Sequence, residues 1–182
     1  VALKTTTGPS LIALTRQNLV PARKSHTDEN LVAKGGYVVS PATKPEKVVL
    51  LATGSEVEIA LEAQKTLEAE GIGARVVSMP CFSLFAAQPA GYRSETLGGA
   101  LPKVAVEAGI RDGWDRCRNR WSRRSRRRAA PAPRRPDPAV TACPAAASAA
   151  ACVAAFDAAR SLAEPKPRVI LFDTLMGKGV PF

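Results

Sequence analysis

Histidine and paired cysteines, the residues that most often build catalytic and metal sites, are scarce in this sequence. Its 182 residues include one histidine, His26, and four cysteines, none of which form a Cys-x-x-Cys pair. This pattern excludes the usual zinc sites, which need thiolate or imidazole ligands at short spacings. His26 lies in a polar connector, so we interpret it as an exposed linker residue and not as a catalytic base.

Aromatic residues and long apolar runs are also few. Aromatic residues make up 5% of the chain although apolar residues make up 46%, because much of the apolar content is alanine. No apolar run reaches the roughly 20 residues that a membrane-spanning helix needs, and no secretory signal precedes the first predicted strand. Isolated thiols without a signal peptide predict a cytoplasmic protein that does not contact a membrane.

Acidic residues are scarce in only one part of the chain. Residues 1–116 contain 13 Lys and Arg against 12 Asp and Glu, whereas residues 117–182 contain 13 against 4. Nine arginines lie between Arg118 and Arg135 without an acid among them, and an alanine- and proline-rich stretch follows. This composition cannot bury enough apolar surface to offset the entropy of ordering, and it predicts a disordered basic segment over residues 117–150.

Regular patterning is concentrated in residues 37–116. The apolar, β-branched run at residues 48–52 predicts a strand buried on both faces, and residues 75–79 and 104–107 predict two further strands. A helix is predicted between the first two strands and another within residues 83–98. This alternation predicts a small three-layer α/β domain with a mostly parallel sheet, followed by the disordered basic segment.

The first of these helices has recognisable end signals. Ser55 and Glu58 have the spacing of a capping box, and Gly71 supplies the left-handed residue that favours a helix C-terminus. Free amides at the loop of residues 53–55 could also hold an anion, but Glu56 and Glu58 would repel it. We therefore interpret this loop as a helix cap.

Weaker patterns lie outside residues 37–116. The apolar residues 11–14 predict a short strand. Apolar residues at helical spacing predict a helix over residues 153–162, and residues 168–172 predict a buried strand.

Six spaced motifs, taken together, resemble one protein family, the transketolases. They are Thr-Arg-Gln-Asn-Leu at residues 15–19, Lys-Gly-Gly-Tyr-Val at 34–38, Leu-Ala-Thr-Gly-Ser-Glu-Val-Glu at 51–58, Val-Val-Ser-Met-Pro at 76–80, Tyr-Arg at 92–93 and Val-Ala-Val-Glu-Ala-Gly at 104–109. In this order, from about residue 9 to 116, they resemble the C-terminal domain region of transketolase. Residues 169–180, Val-Ile-Leu-Phe-Asp-Thr-Leu-Met-Gly-Lys-Gly-Val, resemble the end of the pyrophosphate-binding domain. In the family that domain lies at the opposite end of the protein or on a separate subunit.

The resemblance implies four segments. Residues 1–36 are the end of the pyrimidine-binding domain and a linker, and residues 37–116 are the transketolase C-terminal-like α/β domain. Residues 117–150 are the disordered segment rich in arginine, alanine and proline, and residues 151–182 are the fragment that resembles the end of the pyrophosphate-binding domain.

The resemblance also implies a chemistry. Transketolases transfer a two-carbon ketol unit between sugar phosphates in the pentose phosphate pathway, with thiamine diphosphate and Mg²⁺ or Ca²⁺. The family holds the metal and diphosphate with a Gly-Asp-Gly motif and a downstream Asn, and activates the cofactor with a Glu; neither motif is present in this chain. We therefore assign no catalytic and no metal-binding residue, and expect the chain alone to bind no cofactor.

Three residues are carried over from the family. Arg16 matches the arginine that binds the phosphate of the sugar substrate, a task that suits a planar, permanently charged guanidinium. Gly177 and Lys178 match a loop near thiamine diphosphate in whole enzymes. Their counterparts act only in an intact enzyme.

Alternative interpretations remain open at this point. The leading one is a transketolase-family fragment that is inactive by itself; the others are a subunit of a split transketolase completed by a partner chain, and a basic nucleic-acid-binding protein, which we consider the least favoured. The partners that the resemblance implies are sugar phosphates in an intact enzyme, and either a second copy in a homodimer or a partner transketolase subunit. The basic segment itself has three explanations: a shifted reading frame through GC-rich DNA, which ranks first, a basic tail, and an evolved nucleic-acid site. The nucleotide sequence around codon 117 would distinguish them.

Overall fold

The computed structural model describes the N-terminal part of the chain almost continuously. It describes residues 1–6, 8–15 and 18–107, the single residues Trp114, Cys117, Ala150, Val153 and Ala154, and the backbone of two short strands at residues 140–143 and 169–172. The predicted helix over residues 153–162 lies almost wholly outside the described residues.

Four strands form the central sheet: β1 (Tyr37–Ser40), β2 (Glu46–Ala52), β3 (Gly73–Ser78) and β4 (Lys103–Val106). Their order is β1-β3-β2-β4, in which β2 runs parallel to β3 and β4 while β1 runs antiparallel to β3. The predicted strands correspond to β2, β3 and β4. The antiparallel β1 was not predicted, and it makes the sheet mixed.

Helices cover both faces of this sheet, so the predicted three-layer α/β domain is confirmed. Helix α1 (Glu56–Ala69) covers one face, while α2 (Phe82–Ala86) and α3 (Ala90–Thr96) cover the other. Strand β2 is buried on both faces because its side chains alternate: Val48 and Leu50 pack towards α1, whereas Val49 and Leu51 pack towards α2 and α3.

One predicted helix is two helices in the structure. The prediction placed a single helix within residues 83–98, but Pro89 is in an extended conformation, with φ −52° and ψ 145°, and serves as the N-cap of α3. Proline disfavours helical geometry in the residue before it, and that effect separates α2 from α3.

The capping box predicted at the start of α1 is wrong. Ser55 itself has helical dihedral angles, with φ −65° and ψ −28°, and its side chain caps no backbone amide. Its hydroxyl instead donates to the Glu56 carboxylate at 3.1 Å. The first amides of the helix bond to carbonyls three residues earlier, including Glu58 N–H to Ser55 O at 3.3 Å. A capping box requires an extended N-cap residue, which the tight turn at Gly54 (φ +55°) does not allow.

The predicted end of α1 is confirmed in detail. Gly71 has φ +86°, and its amide donates to Glu68 O at 3.1 Å while the Ile72 amide donates to Leu67 O at 2.9 Å. These two bonds form a Schellman motif. The side chains of Ile72 and Leu67 both belong to the core cluster beneath α1, so the cap also fixes how the chain enters β3.

Two glycine-to-alanine substitutions measure how much the positive φ of Gly71 contributes to the stability of this cap. A Cβ atom at Gly71 or at Gly91 would meet no other atom within 4 Å, but only Gly71 has a positive φ. We expect Gly71→Ala to lower the free energy of unfolding by about 1–2 kcal/mol. Gly91→Ala, inside α3, should raise it by roughly 0.5–1 kcal/mol. Urea denaturation of both variants measures the difference, and equal effects would contradict this account of the cap.

Residues 11–14 do not form the predicted strand. Leu11 is 96% exposed and Leu14 is 84% exposed, and the segment lies in no helix or strand. A strand is stabilised by pairing with a neighbour, and none of the described strands pairs with these residues.

Part of the C-terminal region is regular. Strand β5 (Val140–Cys143) pairs in parallel with β6 (Val169–Phe172), the second of which corresponds to the strand predicted at residues 168–172. The prediction of disorder for residues 117–150 is therefore wrong at β5 and at Cys117, which is buried at 1% exposure. Apart from Ala150, the rest of that segment lies outside the described residues. Among the residues that the structure describes, no helix is long and apolar enough to span a membrane.

Candidate functional site

The three residues assigned to binding from the sequence cannot be placed. Arg16, Gly177 and Lys178 all lie outside the described residues. Their proposed contacts with a sugar phosphate and with thiamine diphosphate therefore remain predictions. His26, which was predicted to be an exposed linker residue, is 87% exposed and its Nε2 lies 3.1 Å from Asp28 Oδ1.

Ligands of α/β sheets bind most often beyond the carboxyl ends of the parallel strands, and this edge is the first candidate site. Three segments meet this description: residues 53–55 after β2, Cys81 after β3 and Glu107 after β4. The first amides of α1 donate to the carbonyls of residues 53–55, and Glu56 and Glu58 place two carboxylates in the first turn of that helix. Anion binding at this helix end is disfavoured, as the sequence predicted.

The second part of this edge carries a thiol. Partial burial acts to raise the pKa of Cys81, but hydrogen bonds from the Ser83 hydroxyl and from the Leu84 and Ser83 amides outweigh it, so the pKa is lowered. The two side-chain atoms, Cys81 Sγ and Ser83 Oγ, are 3.2 Å apart. The lowered pKa is the only feature that marks this thiol, because among the described residues no group of His, Cys, Asp or Glu side chains suited to a metal ion accompanies it.

The third part of the edge is closed by an aromatic residue. The Trp114 ring is buried at 1% exposure, and its Nε1 donates to Glu107 Oε2 at 3.1 Å. The ring also packs edge-on against Phe82, with ring centroids 4.8 Å apart. Glu107 is consequently held as a structural acceptor, and among the described residues no group of three or more His, Cys, Asp or Glu side chains could hold a metal ion.

The best-built polar arrangement lies instead where the linker enters the domain. We call residues 29–36 together with Cys81, Phe85 and Tyr92 the linker joint. Lys34 Nζ lies 2.5 Å from Glu29 Oε1 and 4.9 Å from the centroid of the Tyr92 ring. The hydrogen bond to Glu29, followed by smaller charge effects, raises the pKa of Lys34, so the ammonium stays charged throughout the neutral range.

Two glycines make the close packing of the linker joint possible. A Cβ atom on Gly35, which has φ +76°, would lie 2.3 Å from Phe85 N and 2.4 Å from Cys81 O, and one on Gly36 would lie 2.5 Å from Met79 Sδ. The backbone is bonded at the same point, because Cys81 N–H donates to Gly35 O at 2.9 Å and Tyr92 O–H donates to Gly36 O at 2.8 Å. The joint therefore fixes the exit direction of the linker relative to the sheet.

The sequence contained the parts of the linker joint but not their arrangement. Two of the motifs that resemble transketolase contribute to it: one contains Lys34, Gly35 and Gly36, and the other contains Tyr92. These two motifs are more than 50 residues apart in the chain. The structure brings them together in one contact, which gives both motifs a structural role. Two consecutive glycines directly before a strand were the only available signal of a close backbone approach.

A second polar cluster ties the β1–β2 loop to the end of α1. The Glu68 carboxylate accepts hydrogen bonds from the Thr43 hydroxyl, from the Thr43 amide at 3.0 Å and from the Ala74 amide at 3.1 Å. The bond from the Thr43 hydroxyl is the main cause that lowers the pKa of Glu68. The ionised carboxylate accepts these bonds best, because protonation would turn one of its oxygens into a donor.

Glu68 predicts a loss of stability in acid. Because its pKa is lower in the folded than in the unfolded chain, its contribution is present above about pH 4.5 and is lost as the pH falls through the folded value. Thermal denaturation between pH 6 and pH 3 should show a smaller decrease in Tm for Glu68→Gln than for the parent chain. Glu62→Gln, on the exposed face of the same helix, is the matched control and should follow the parent profile. Parallel profiles for all three chains would contradict the assignment.

Comparison with known proteins agrees with the motifs. Residues 35–126 match the family model described as Transketolase-like TK C-terminal domain, which is just over half of the chain. The match extends beyond residue 116, where the sequence resemblance ended. The burial of Trp114 and Cys117 in the core beside α2 shows that the domain itself continues to at least residue 117.

Several transketolases are similar to this part of the chain. The enzyme of Rhodobacter capsulatus is 53% identical over 116 residues, which are 64% of this chain and 17% of that protein. Transketolase 1 of Escherichia coli is 47% identical over 110 residues, or 59% of this chain and 16% of that protein.

Solved transketolases align with a smaller part. The structure from Leishmania mexicana covers 46% of this chain and 12% of its own, with 44% identity and a TM-score of 0.43. The structure from Campylobacter jejuni covers 50% of this chain and 14% of its own, with 35% identity and a TM-score of 0.44.

The chain thus spans about 17% of the length of the curated relatives that it matches. The matched region is one domain, whose fold, glycine-dependent linker joint and capped helix are described above. By its family match over residues 35–126, this chain belongs to the transketolase family, of which it carries the C-terminal domain.

Proposed function

We propose that this chain serves as the C-terminal domain of an enzyme that transfers a two-carbon ketol unit between sugar phosphates with thiamine diphosphate, in the cytoplasm. Residues 1–182 alone do not perform this transfer under the proposal. The observation that carries it is the family match to residues 35–126 within a chain that spans 17% of its curated relatives. The domain's role is then to pack against the remainder of the enzyme, through the linker joint.

The described residues do not fit the cofactor site of such an enzyme. Thiamine diphosphate supplies the carbanion chemistry when it is bound, and its diphosphate requires a divalent cation held by oxygen ligands. No cluster of acidic, histidine or cysteine side chains suited to a cation occurs among the described residues. The carboxylates of Glu56 and Glu58 at the sheet edge would also repel a diphosphate. We therefore derive no reaction step through the cofactor, and any contact from Gly177 or Lys178 belongs to the intact enzyme.

Arg16 is proposed to bind the phosphate of the sugar substrate. The residues described on either side of it, among them Leu14 at 84% exposure and Leu19 at 38%, are not packed into the domain. A single ion pair that is exposed to solvent contributes only about 0–1 kcal/mol. Another part of the enzyme must therefore hold this segment before Arg16 can position a substrate.

A ketol-transfer assay on the purified chain, supplied with thiamine diphosphate and Mg²⁺, tests the proposal. We expect no turnover above background, because enzymes lower barriers by at least about 8 kcal/mol, and one ion pair from Arg16 cannot supply this. Turnover by the chain alone that disappears in Arg16→Ala would overturn the proposal. Calorimetry with thiamine diphosphate is the second readout, and we expect no binding heat.

A complementation assay addresses the split-enzyme alternative. A transketolase that lacks its C-terminal domain is mixed with this chain, in the homodimeric or two-subunit arrangement that the family resemblance suggests. If activity appears, Arg16→Ala should raise the KM for the sugar phosphate, whereas Arg23→Ala, in the exposed linker, should not. Activity restored equally by both variants would remove Arg16 from the proposed site. The nucleic-acid alternative depends on arginines that lie outside the described residues.

A further inference from the structure

Strand β4 is buried although it lies at the end of the four-stranded sheet. Its residues Lys103 and Val104 are 1% exposed, and Ala105 and Val106 are 0% exposed. A strand at a sheet edge normally presents a row of N–H and C=O groups to solvent or to another chain. Helices on the two faces cover the side chains of β4, but something else must cover its edge.

The ladder between β2 and β4 identifies the groups at this edge. Val49 pairs with Lys103, and the Val49 amide donates to Pro102 O at 3.0 Å. In a parallel ladder, alternate residues direct both backbone groups to the same neighbour. Val104 and Val106 therefore face β2, whereas the N–H and C=O of Ala105 face the outer edge.

Strand β6 lies at this outer edge. Its Cα atoms come within 8 Å of those of β4, which is closer than the roughly 10 Å that separates stacked sheets. β6 therefore runs beside β4 and not above it, although the hydrogen bonds assign β5 and β6 to a separate sheet. Val153, also from the C-terminal region, packs against the core cluster that contains Val104 and Val106.

We propose that the outer edge of β4 is a strand-acceptor site and that the chain's own segment Val169–Phe172 occupies it. The six strands then form one sheet in the order β1-β3-β2-β4-β6-β5, and backbone groups of β6 pair with Ala105. The occupant lies outside residues 35–126, so a segment beyond the family domain completes the sheet of that domain. Four consecutive apolar residues suit a strand that is buried on both faces.

Amide exchange followed by NMR tests the pairing, with Ala105 as the reporter and Val104 as the internal reference. In Ile170→Pro/Leu171→Pro, β6 loses two consecutive donors, and Ala105 should exchange at least about tenfold faster while Val104 stays protected. Ile12→Pro/Ala13→Pro places the same pair of prolines in a segment without helix or strand, and should leave both amides unchanged. Unchanged exchange of Ala105 in the first variant would overturn the proposal.

Two further measurements keep the test decisive. If the proline variant unfolds, the pairing can be tested in the unaltered chain. Pairing would bring the Ala105 amide close enough to β6 backbone protons to give nuclear Overhauser effects. The absence of every such effect would overturn the pairing. Protection of Ala105 should also be independent of protein concentration. Protection that is lost on dilution would assign the edge to a second copy of the chain and would contradict pairing within one chain.

Discussion

Replacing Gly35 by alanine is expected to destabilise the domain by at least about 3 kcal/mol. The new Cβ atom would lie 2.3 Å from Phe85 N and 2.4 Å from Cys81 O, and the residue would have to keep φ +76°. Both opposing atoms belong to the backbone, so no side chain can rotate to make room. The linker or α2 must move, and the bond from Cys81 N–H to Gly35 O is lost with it.

Urea denaturation of Gly35→Ala measures this effect against two references. Gly8→Ala is the matched control, because a Cβ atom there would meet nothing within 4 Å and the residue has no positive φ. Tyr92→Phe removes only the hydrogen bond to Gly36 O and should cost about 1 kcal/mol. If Gly35→Ala cost no more than Tyr92→Phe, the linker joint would be adaptable and its proposed role in fixing the linker would be wrong.

The linker joint has a functional consequence under the proposed function. Arg16 is connected to the domain through the linker. The last residues of this linker, Lys34, Gly35 and Gly36, are held by their contacts in the linker joint. In a complemented enzyme, a change at Gly35 should therefore impair activity without touching substrate. Arg16 and Gly35 would differ in their signatures: the first acts on substrate affinity, the second on assembly of the domain.

The periodic part of the fold could be predicted from the sequence because one physical cause decides it. That cause is the burial of apolar side chains. It produces the apolar runs at β2, β3 and β4 and the apolar side of α1, and all of these pack together in the core of the domain. Strand β1 was not predicted because half-burial gave it no distinctive pattern; all four of its residues are partly exposed. Its pairing with β3 is a long-range contact that no local pattern encodes.

Local motifs were less reliable where tertiary contacts compete. The capping-box spacing at Ser55 was present, but the turn at Gly54 set dihedral angles that the motif cannot use. The apolar residues 11–14 had a strand pattern, but pairing depends on a neighbouring strand, and the described part of the chain offers none. Gly71 was predicted correctly because its requirement, a positive φ, is local.

The candidate site shows the same division. Motif resemblance indicated which residues matter near the linker, but packing between residues more than 50 positions apart was invisible before the structure. Lys103 is a further example: it begins β4 and is 1% exposed, and nothing in the sequence distinguishes it from surface lysines. Its Nζ donates to Gly99 O at 2.8 Å and to Leu101 O at 2.9 Å.

Lys103 and Cys117 predict an unusual dependence of stability on alkaline pH. Burial lowers the pKa of Lys103 from 10.5 to about 8, and the nearby Cys117 only partly opposes this. Burial raises the pKa of Cys117 from 9.0 to about 12, again opposed in part by Lys103. Each group is neutral in the folded chain over a range in which it is charged in the unfolded chain.

The two groups act with opposite signs. Between pH 8 and 10.5 the unfolded chain holds the proton that Lys103 has released in the folded chain, so stability rises with pH, by up to about 1.4 kcal/mol per unit. Between pH 9 and 12 the folded chain holds the proton on Cys117 that the unfolded chain has released, so stability falls at a similar rate. The parent chain should therefore gain stability from pH 8 to 9, change little up to about 10.5, and lose stability above it.

Two variants separate these contributions. In Cys117→Ala the rise should continue to about pH 10.5, for a total on the order of 3 kcal/mol, because only the Lys103 difference remains. In Lys103→Met the rise should be absent and the loss should begin near pH 9. Urea denaturation at half-unit steps from pH 7.5 to 11.5 measures the three profiles, and slopes rather than absolute stabilities are compared, since each substitution also changes packing. Contributions from groups that the three chains share cancel in the differences. Superimposable slopes would show that neither group is neutral in the folded domain over these pH ranges, and would contradict the assignment.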